Sequence, residues 1–294
     1  MDKKLNKLTS DEYRVIIEKG TEKPFTGKYN DFFEEGVYIC KQCHLPLYKS
    51  ENKFKSESGW PSFDKEIPSS IRRQLDEDGE RIEIVCSYCG AHLGHVFESE
   101  GYTKTNIRHC VNSISMEFVP IGTPLPRQRA IFAAGCFWGV EYMFRKVHGV
   151  IDVVNGYTGG FVEKPTYQQV CTGKTGHAEA VLVIFDPNIV GYEELVRYFF
   201  EIHDPTQIGG QGPDIGDQYR SEIFYTDEEQ KLIAEKVIKE LTEKGMKIVT
   251  KVTEASNFYK AEEYHQNYYE KTKEAPYCHF RRNIFNTDYI KVII

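Results

Sequence analysis

No apolar run in this chain is long enough to cross a bilayer as a helix, so a membrane-spanning protein of that kind is not expected. A basic excess is missing too: 37 Lys and Arg stand against 44 Asp and Glu, a formal charge of −7. A general nucleic-acid binder needs a net basic face for phosphates, so no nucleic-acid partner is expected. The first residues are charged rather than apolar, so no secretory leader is expected either, and a reducing cytoplasm fits best. The two halves of the chain show no internal repeat. Tryptophan is scarce, with two residues in 294, Trp60 and Trp138, and each falls in a motif that matters below.

Cysteine is where the sequence is rich. Five of the eight cysteines lie in the first 110 residues, and four of those form two CxxC pairs, Cys40/Cys43 and Cys86/Cys89. Two pairs about forty residues apart match a tetrahedral zinc site of four thiolates, with no coordination position left open. The expected cofactor is one structural Zn2+, with no organic cofactor. A thioredoxin-like redox pair is the alternative, but neither pair lies between a strand and a helix. Cys110 and Cys136 stand apart from this set. Lone thiols flanked by His, Arg or aromatic residues are candidate nucleophiles.

At 294 residues the chain exceeds the usual single-domain size, and 40% hydrophobic content supplies two cores. Thr9 and Glu12 form a capping box for a first helix whose apolar face is Tyr13, Ile16 and Ile17, with Gly20 as its stop. From Val37 to Phe118 short β-like runs are separated by Gly, Pro and Ser clusters, which predicts an N-terminal, mainly antiparallel β domain over residues 1–118. Residues 119–128 carry three prolines and a glycine and read as a linker. Residues 129–294 mix strands at 130–134, 151–155 and 180–185 with helices at 192–203 and 226–244, an α/β or α+β pattern. The last helix is read with a Thr226/Glu229 capping box and Gly245 as its stop.

Cys110 sits in Arg108-His109-Cys110-Val111-Asn112, where a neighbouring cation would favour the thiolate. His92 and His95 follow the second cysteine pair, on a turn that a metal would make rigid, as candidates for an acid or proton relay. Trp60, on a Gly/Pro-constrained loop, is a wall for a small apolar group. A buried inert cysteine and structural histidines would explain each member singly; it is the constellation that suggests a nucleophile. Cys136 opens Gly135-Cys136-Phe137-Trp138-Gly139 after an apolar strand and at the start of a helical period, where unpaired N–H groups favour a thiolate. Glu179 heads an apolar strand, and desolvation there would raise its pKa and suit it to general-acid work. A solvated strand-edge carboxylate is the plainer alternative. Asp214 and Tyr219 lie in a Gly-rich loop. Cys278 lies in a segment without helical or strand period, where a mobile thiol could approach a sulfenic acid.

The residues around Cys40/Cys43, the Ser58–Phe63 loop, the Cys86–Phe97 run and Arg108–Ser113 closely resemble the type B methionine sulfoxide reductases, over about residues 6–118. That resemblance implies a two-sheet β fold holding the zinc. It implies that Cys110 attacks methionine R-sulfoxide, that His92, His95 and Asn112 manage the oxygen and its proton, that Arg108 stands beside the nucleophile, and that Trp60 packs on the substrate methyl. Many members carry a resolving cysteine two residues before that Trp. Here it is Ser58, so the usual internal disulfide is not expected.

Residues 128–280 resemble the type A methionine sulfoxide reductases through Gly135–Gly139, Gly156–Gly160, Pro165–Tyr167, Gly176–Glu179, His203–Thr206 and Gln211–Ser221. This implies a two-layer α+β domain with a ferredoxin-like core. It implies that Cys136 attacks the S-sulfoxide, Glu179 protonates its oxygen, Tyr167, Asp214 and Tyr219 bind and polarise it, and Phe137 and Trp138 hold the methyl. Cys278 matches the resolving cysteine, and Cys171 is read as structural. Implied partners are thioredoxin as reductant and oxidised proteins or free methionine sulfoxide as substrate. A zinc-ribbon interaction module joined to a redox sensor is the competing class. Such a sensor would not require the Trp60/His92/His95/Asn112 or Glu179/Tyr219 sets.

Overall fold

The fold is that of a computed structural model, which describes residues 5–285 and 289–293. It divides into two compact units, residues 1–127 and 128–294. The first opens with helix α1, Ser10–Ile16, whose Thr9 cap accepts the Glu12 N–H while the Glu12 carboxylate accepts from Thr9. The buried face of α1 differs from the expected one: Val15 and Ile16 point inward, while Tyr13 and Ile17 are exposed. A helix of two turns can bury only a narrow stripe, and here the start at Ser10 sets it one residue round.

Among the described residues nine strands follow in this unit: β1 (Gly36–Cys40), β2 (Pro46–Lys49), β3 (Lys53–Phe54), β4 (Ser62–Phe63), β5 (Ile71–Leu75), β6 (Ile82–Cys86), β7 (His92–Glu98), β8 (Ile107–Val111) and β9 (Met116–Pro120). They form a three-stranded sheet in the order β2-β1-β9 and a six-stranded sheet in the order β3-β4-β8-β7-β6-β5. All these pairings are antiparallel. Tyr38 and Tyr48 from the smaller sheet meet Phe63 from the larger one. Tyr48 stacks on Phe63 at 4.2 Å and Tyr38 meets its edge at 5.0 Å. All three are fully buried, and each contributes about 3 kcal/mol of transfer free energy to holding the sheets together. Val119 and Pro120, placed in the linker by composition, pair with β1 instead. Pro is tolerated there because it ends the strand.

The second unit runs β10 (Gln128–Ala134), α2 (Phe137–Arg145), β11 (Val150–Thr158), α3 (Tyr167–Cys171), β12 (Ala178–Phe185), α4 (Tyr192–Ile202), β13 (Gly210–Gln211), β14 (Asp214–Ile215), β15 (Ser221–Tyr225), α5 (Glu228–Glu243), β16 (Lys251–Glu254), β17 (Tyr259–Lys260) and α6 (Tyr268–Thr272). Six strands form one sheet in the order β16-β15-β10-β12-β11-β17. It is antiparallel except for the β15–β16 pair. The path β10-α2-β11-β12-α4-β15 inserts β12 between β10 and β11, the connectivity of a split βαβ arrangement. Phe132 of β10 stacks at 5.1 Å on both Phe144 of α2 and Phe199 of α4, which fixes these helices on one face of the sheet. Asp227, not Thr226, caps α5, accepting the Gln230 N–H at 2.9 Å. The Thr226 N–H instead donates to the Gln230 side chain at 3.0 Å, so both residues serve the same helix end.

Candidate active sites

The four cysteines of the paired motifs converge, with all four Sγ atoms within 4.8 Å of one another. Cys40 Sγ and Cys89 Sγ are 3.6 Å apart, as are those of Cys43 and Cys86. A tetrahedral Zn–S distance of ~2.3 Å gives an S···S edge of ~3.8 Å, so the donor set and its spacing fit zinc. Each pair closes the same tight turn: His44 N–H donates to the Cys40 carbonyl at 2.8 Å, and Gly90 N–H to the Cys86 carbonyl at 2.9 Å. Because Cys40 ends β1 and Cys86 ends β6, the cluster ties the small sheet to the large one.

Cys110 lies on β8, directly opposite His95 on β7 and Ser62 on β4. The two-residue period of the strand puts Arg108 and Cys110 on one face. His109 faces the aromatic core, hydrogen-bonded to Tyr48 at 3.0 Å. A cavity of about 110 Å³ opens over Cys110 and is lined by Thr21, Trp60, Arg81, Gly94, His95, Phe97 and Asn112. The Trp60 indole N–H donates to the Glu22 carbonyl at 3.1 Å, which fixes the ring as a wall. Asn112 is held by its own side chain, whose Oδ1 accepts Glu22 N–H and whose amide donates to Leu93.

Both histidines are backed by carboxylates. His95 Nε2 donates to Asp76 at 2.6 Å, and His92 Nδ1 donates to Glu83 at 2.7 Å, leaving His92 Nε2 buried with no partner among the described residues. His92 stands behind His95, ring centroids 5.6 Å apart, rather than in the cavity wall. Burial pushes the His92 pKa down, which keeps the ring neutral.

The expectation of a low thiol pKa at Cys110 does not hold. Burial pushes it above its ordinary value and outweighs the opposing pull of the Arg108 guanidinium and the Ser58 hydroxyl. Arg108 is itself oriented by a bidentate pair with Glu100, at 2.6 and 2.8 Å.

In the second unit Cys136 is the N-cap residue of α2, and its side chain makes no capping hydrogen bond there. Glu179, at the head of β12, shares the sheet face of Val181 and Val183 and so points at the same helix end. Its carboxylate accepts the Phe137 N–H at 3.1 Å. Burial drives the Glu179 pKa well above the ordinary value, which favours the protonated form able to donate. Cys136 Sγ, Cys278 Sγ and an Asp214 carboxylate oxygen lie within 4.8 Å of one another. Here too the helix terminus does not decide the thiol pKa. The hydrogen bond with Cys278, then burial, pushes Cys136 up, and the same bond pulls Cys278 down. The pair thus resists holding two negative charges.

Burial raises both the Tyr167 and the Tyr219 phenols, each of which lies close enough to Glu179 to be coupled to it electrostatically. Phe137 is buried against Tyr157 and His265. Trp138 stacks on Tyr268 at 3.8 Å and donates to His265 at 3.0 Å. Cys171, read as structural, is exposed at the end of α3 and interacts with the Tyr167 hydroxyl.

Several supporting residues were not found from the sequence. Asp76, Arg81 and Glu83 come from the β5–β6 hairpin, and only its register against β7 brings them to the histidines. His265 and Glu262 hold Trp138 and Tyr167 from a loop more than ninety residues away. The Cys278 segment is pinned rather than free: the buried Glu201 of α4 accepts Arg281 Nε at 2.8 Å and Ile284 N–H at 3.2 Å, and its carbonyl accepts Arg282 N–H at 2.8 Å.

Paired free thiols, a buried carboxyl and fixed aromatic walls define a thiol-based reductase. Comparison with known proteins narrows the class. The family model described as peptide methionine sulfoxide reductase matches residues 128–293, and the SelR domain model matches residues 8–120. The peptide methionine sulfoxide reductase MsrA of Nautilia profundicola is 55% identical over 150 residues, which are 51% of this chain and 87% of that protein. An MsrA of Thermus thermophilus is 52% identical over 157 residues, 53% of this chain and 89% of its own. Among solved structures, reduced Mxr1 from Saccharomyces cerevisiae superposes with a TM-score of 0.52 at 38% identity, covering 54% of this chain and 94% of Mxr1. The chain belongs to the peptide methionine sulfoxide reductases, with a SelR domain placed before the reductase domain of that name.

Proposed function

We propose that each unit reduces one epimer of methionine sulfoxide, with Cys136 and Cys110 as the two nucleophiles. The reaction classes are peptide-methionine (S)-S-oxide reduction in residues 128–293 and peptide-methionine (R)-S-oxide reduction in residues 8–120. Mirror-related sulfoxides need separate pockets, so two sites serve where one cannot. The observation that carries the reading is the buried Glu179 carboxyl, which accepts the Phe137 N–H at the helix end that presents Cys136 and whose pKa burial raises. A sulfoxide oxygen leaves poorly unless protonated. The Cys136 thiolate sulfur bonds to the sulfoxide sulfur, and Glu179 and the thiol's own proton convert the oxygen to water, so that the S–O bond breaks. A water oxygen then attacks the Cys136 sulfur and cleaves the S–S bond, so that methionine departs as the thioether, Cys136 is left as a sulfenic acid and the released proton returns to Glu179. Both resting thiols are held up, Cys110 by burial and Cys136 first by its hydrogen bond with Cys278 and then by burial, so activation comes from the bound substrate, whose positive sulfur favours the thiolate. Tyr167, Asp214 and Tyr219 bind the oxygen, while Phe137 and Trp138 hold the methyl. In the first unit Trp60 holds the methyl, Arg108 stabilises the Cys110 thiolate, and His95, supported by Asp76, handles the oxygen with His92 and Asn112. Zinc, held by Cys40, Cys43, Cys86 and Cys89, supplies structure and takes no part in the chemistry.

Cys278 resolves the Cys136 sulfenic acid as a disulfide that thioredoxin then reduces. The other four cysteines of the first unit are gathered in the cluster, and Ser58 interacts with Cys110 where a resolving thiol would stand. The Cys110 sulfenic acid is therefore reduced directly by thioredoxin or by a thiol of the second unit. Mass spectrometry after R-sulfoxide treatment separates these: a bridge from Cys110 to Cys136 or Cys278 favours the second. No helix among the described residues is long and apolar enough to cross a membrane. A reducing cytoplasm, where thioredoxin keeps thiols free, is the compartment this chemistry suits. With dithiothreitol as donor and dabsylated epimers as substrate, Cys110→Ser is expected to lose only R activity and Cys136→Ser only S activity. Loss of both in either variant would refute the assignment.

A further inference from the structure

Cys278 does not meet Cys136 alone. The next residue, His279, is buried, and both of its ring nitrogens are engaged. Nε2 lies 2.7 Å from the Ala134 carbonyl oxygen, and Nδ1 lies 2.9 Å from Cys278 Sγ. A carbonyl oxygen can only accept, so Nε2 carries the proton and Nδ1 turns its lone pair toward the thiol. Ala134 ends β10 two residues before Cys136, so the strand that delivers the attacking thiol also sets the tautomer of this ring.

Helix α2 is shaped to admit the ring. A Cβ at Gly139 would overlap His279 Nδ1 and lie 2.9 and 3.1 Å from Cγ and Cε1. No larger residue fits at that turn of the helix while the imidazole stays on Cys278. Burial pulls the His279 pKa down, which favours the neutral ring with a free lone pair on Nδ1, while the hydrogen bond to Ala134 and the Asp214 charge oppose that pull and keep the ring able to accept a proton. Asp214 Oδ2 is itself buried with no partner among the described residues. The other ionisable groups acting on the dithiol, Asp214 and the ring include Tyr219, Tyr269, Tyr277, Glu179, His203 and, beyond it, Arg282.

We propose that His279 is a catalytic residue of the resolving step, the general base that takes the proton from Cys278. The proposal rests on the reading of Cys136 and Cys278 given above. His279 Nδ1 accepts the Cys278 proton, and the Cys278 sulfur then attacks the Cys136 sulfenic sulfur. The S–S bond forms, the S–O bond breaks, and the departing hydroxide takes the proton back from the imidazolium and leaves as water. The Cys278 sulfur is oxidised and the Cys136 sulfur reduced to the disulfide level. The oxidising equivalent is the one already taken from the sulfoxide, so no further reagent is needed.

The test uses the full chain carrying Cys110→Ser, mixed with a methionine S-sulfoxide peptide without reductant. Methionine release and disulfide formation are followed separately by rapid quench and mass spectrometry. With His279→Gln, one methionine per chain is expected at the parental rate, which also reports that the site is folded. Disulfide formation is expected to slow by about 10²-fold or more at neutral pH and to recover as pH rises, because Cys278 must then ionise in water. Gly139→Ala, which keeps the imidazole but displaces it, is expected to slow the same step with the first methionine intact. Parental disulfide rates in both variants would overturn the proposal. So would a slowing that higher pH does not relieve, or one that also removes the first methionine. If Cys278→Ser still forms the disulfide, the assignment of Cys278 has failed instead, and the two failures are distinct.

Discussion

Glu179 shows how one buried residue trades stability for chemistry. Its pKa is raised on folding, so the folded chain binds a proton that the unfolded chain has released. Stability is therefore greatest below the unfolded carboxyl range and declines as pH climbs toward the raised folded value. Glu179→Gln keeps the oxygen that accepts the Phe137 N–H but cannot give up a proton. Expected are a fall of about 10²-fold or more in S-sulfoxide reduction and a gain in melting temperature that is larger at pH 8 than at pH 5, read by calorimetry beside the activity assay. Arg108 is the counterpart in the first unit, where its charge opposes the burial that raises Cys110. Arg108→Met is expected to slow alkylation of Cys110 at neutral pH by about tenfold, corresponding to about one pKa unit, with S activity unchanged. The place of Glu179 at the head of an apolar strand was legible in the sequence, but its role came from the family resemblance, since a solvated strand-edge carboxylate was the plainer reading of the residue alone. His279 was not legible, because its segment has no period and its partner, Ala134, is distant in sequence and offers only a carbonyl. The thiol pKa values were misjudged for a related reason. Neighbours in sequence show the favourable charge, whereas desolvation depends on packing.

At the scale of elements, the sequence carried local signals better than pairings. The Thr9 capping box is present as expected. The α5 cap slipped one residue because Asp227 and Thr226 both bond to Gln230, and only geometry decides which holds the helix end. Of the β5–β6 hairpin, β6 was legible as a β-like run over Arg81–Val85, but β5 was not, because Arg72, Arg73 and Gln74 do not look like a strand. Yet its register delivers Asp76 and Glu83 to the two histidines. The cysteine-bearing segment after α6 was expected to be a mobile arm, and Glu201 instead holds it by charge and by backbone contacts. Glu201→Ala leaves those donors unpaired and is expected to cost roughly 2–3 kcal/mol. Its disulfide should form more slowly after sulfoxide treatment, while the first methionine is released normally. Equal disulfide rates in variant and parent would show that the anchor does not position Cys278.

At the scale of the whole molecule, the two units depend on different things for their integrity. The second has a continuous aromatic and aliphatic core built on Phe132, Phe144 and Phe199. The first has less core of its own and a four-cysteine cluster joining its sheets. A chelator is expected to abolish R activity and the thermal transition of the first unit, since zinc-binding free energy in such sites is folding free energy. S activity should survive, and parallel epimer assays after dialysis would check this.

Cys89 is the one partly exposed member of that cluster. A strong oxidant would meet it first, and a sulfur that has taken up oxygen no longer grips the ion. Damage severe enough to reach it would silence half of the repair capacity while sparing the other half. Oxidised methionine left unrepaired would then accumulate with a stereochemical bias toward the R form, a chiral record of how harsh the exposure had been.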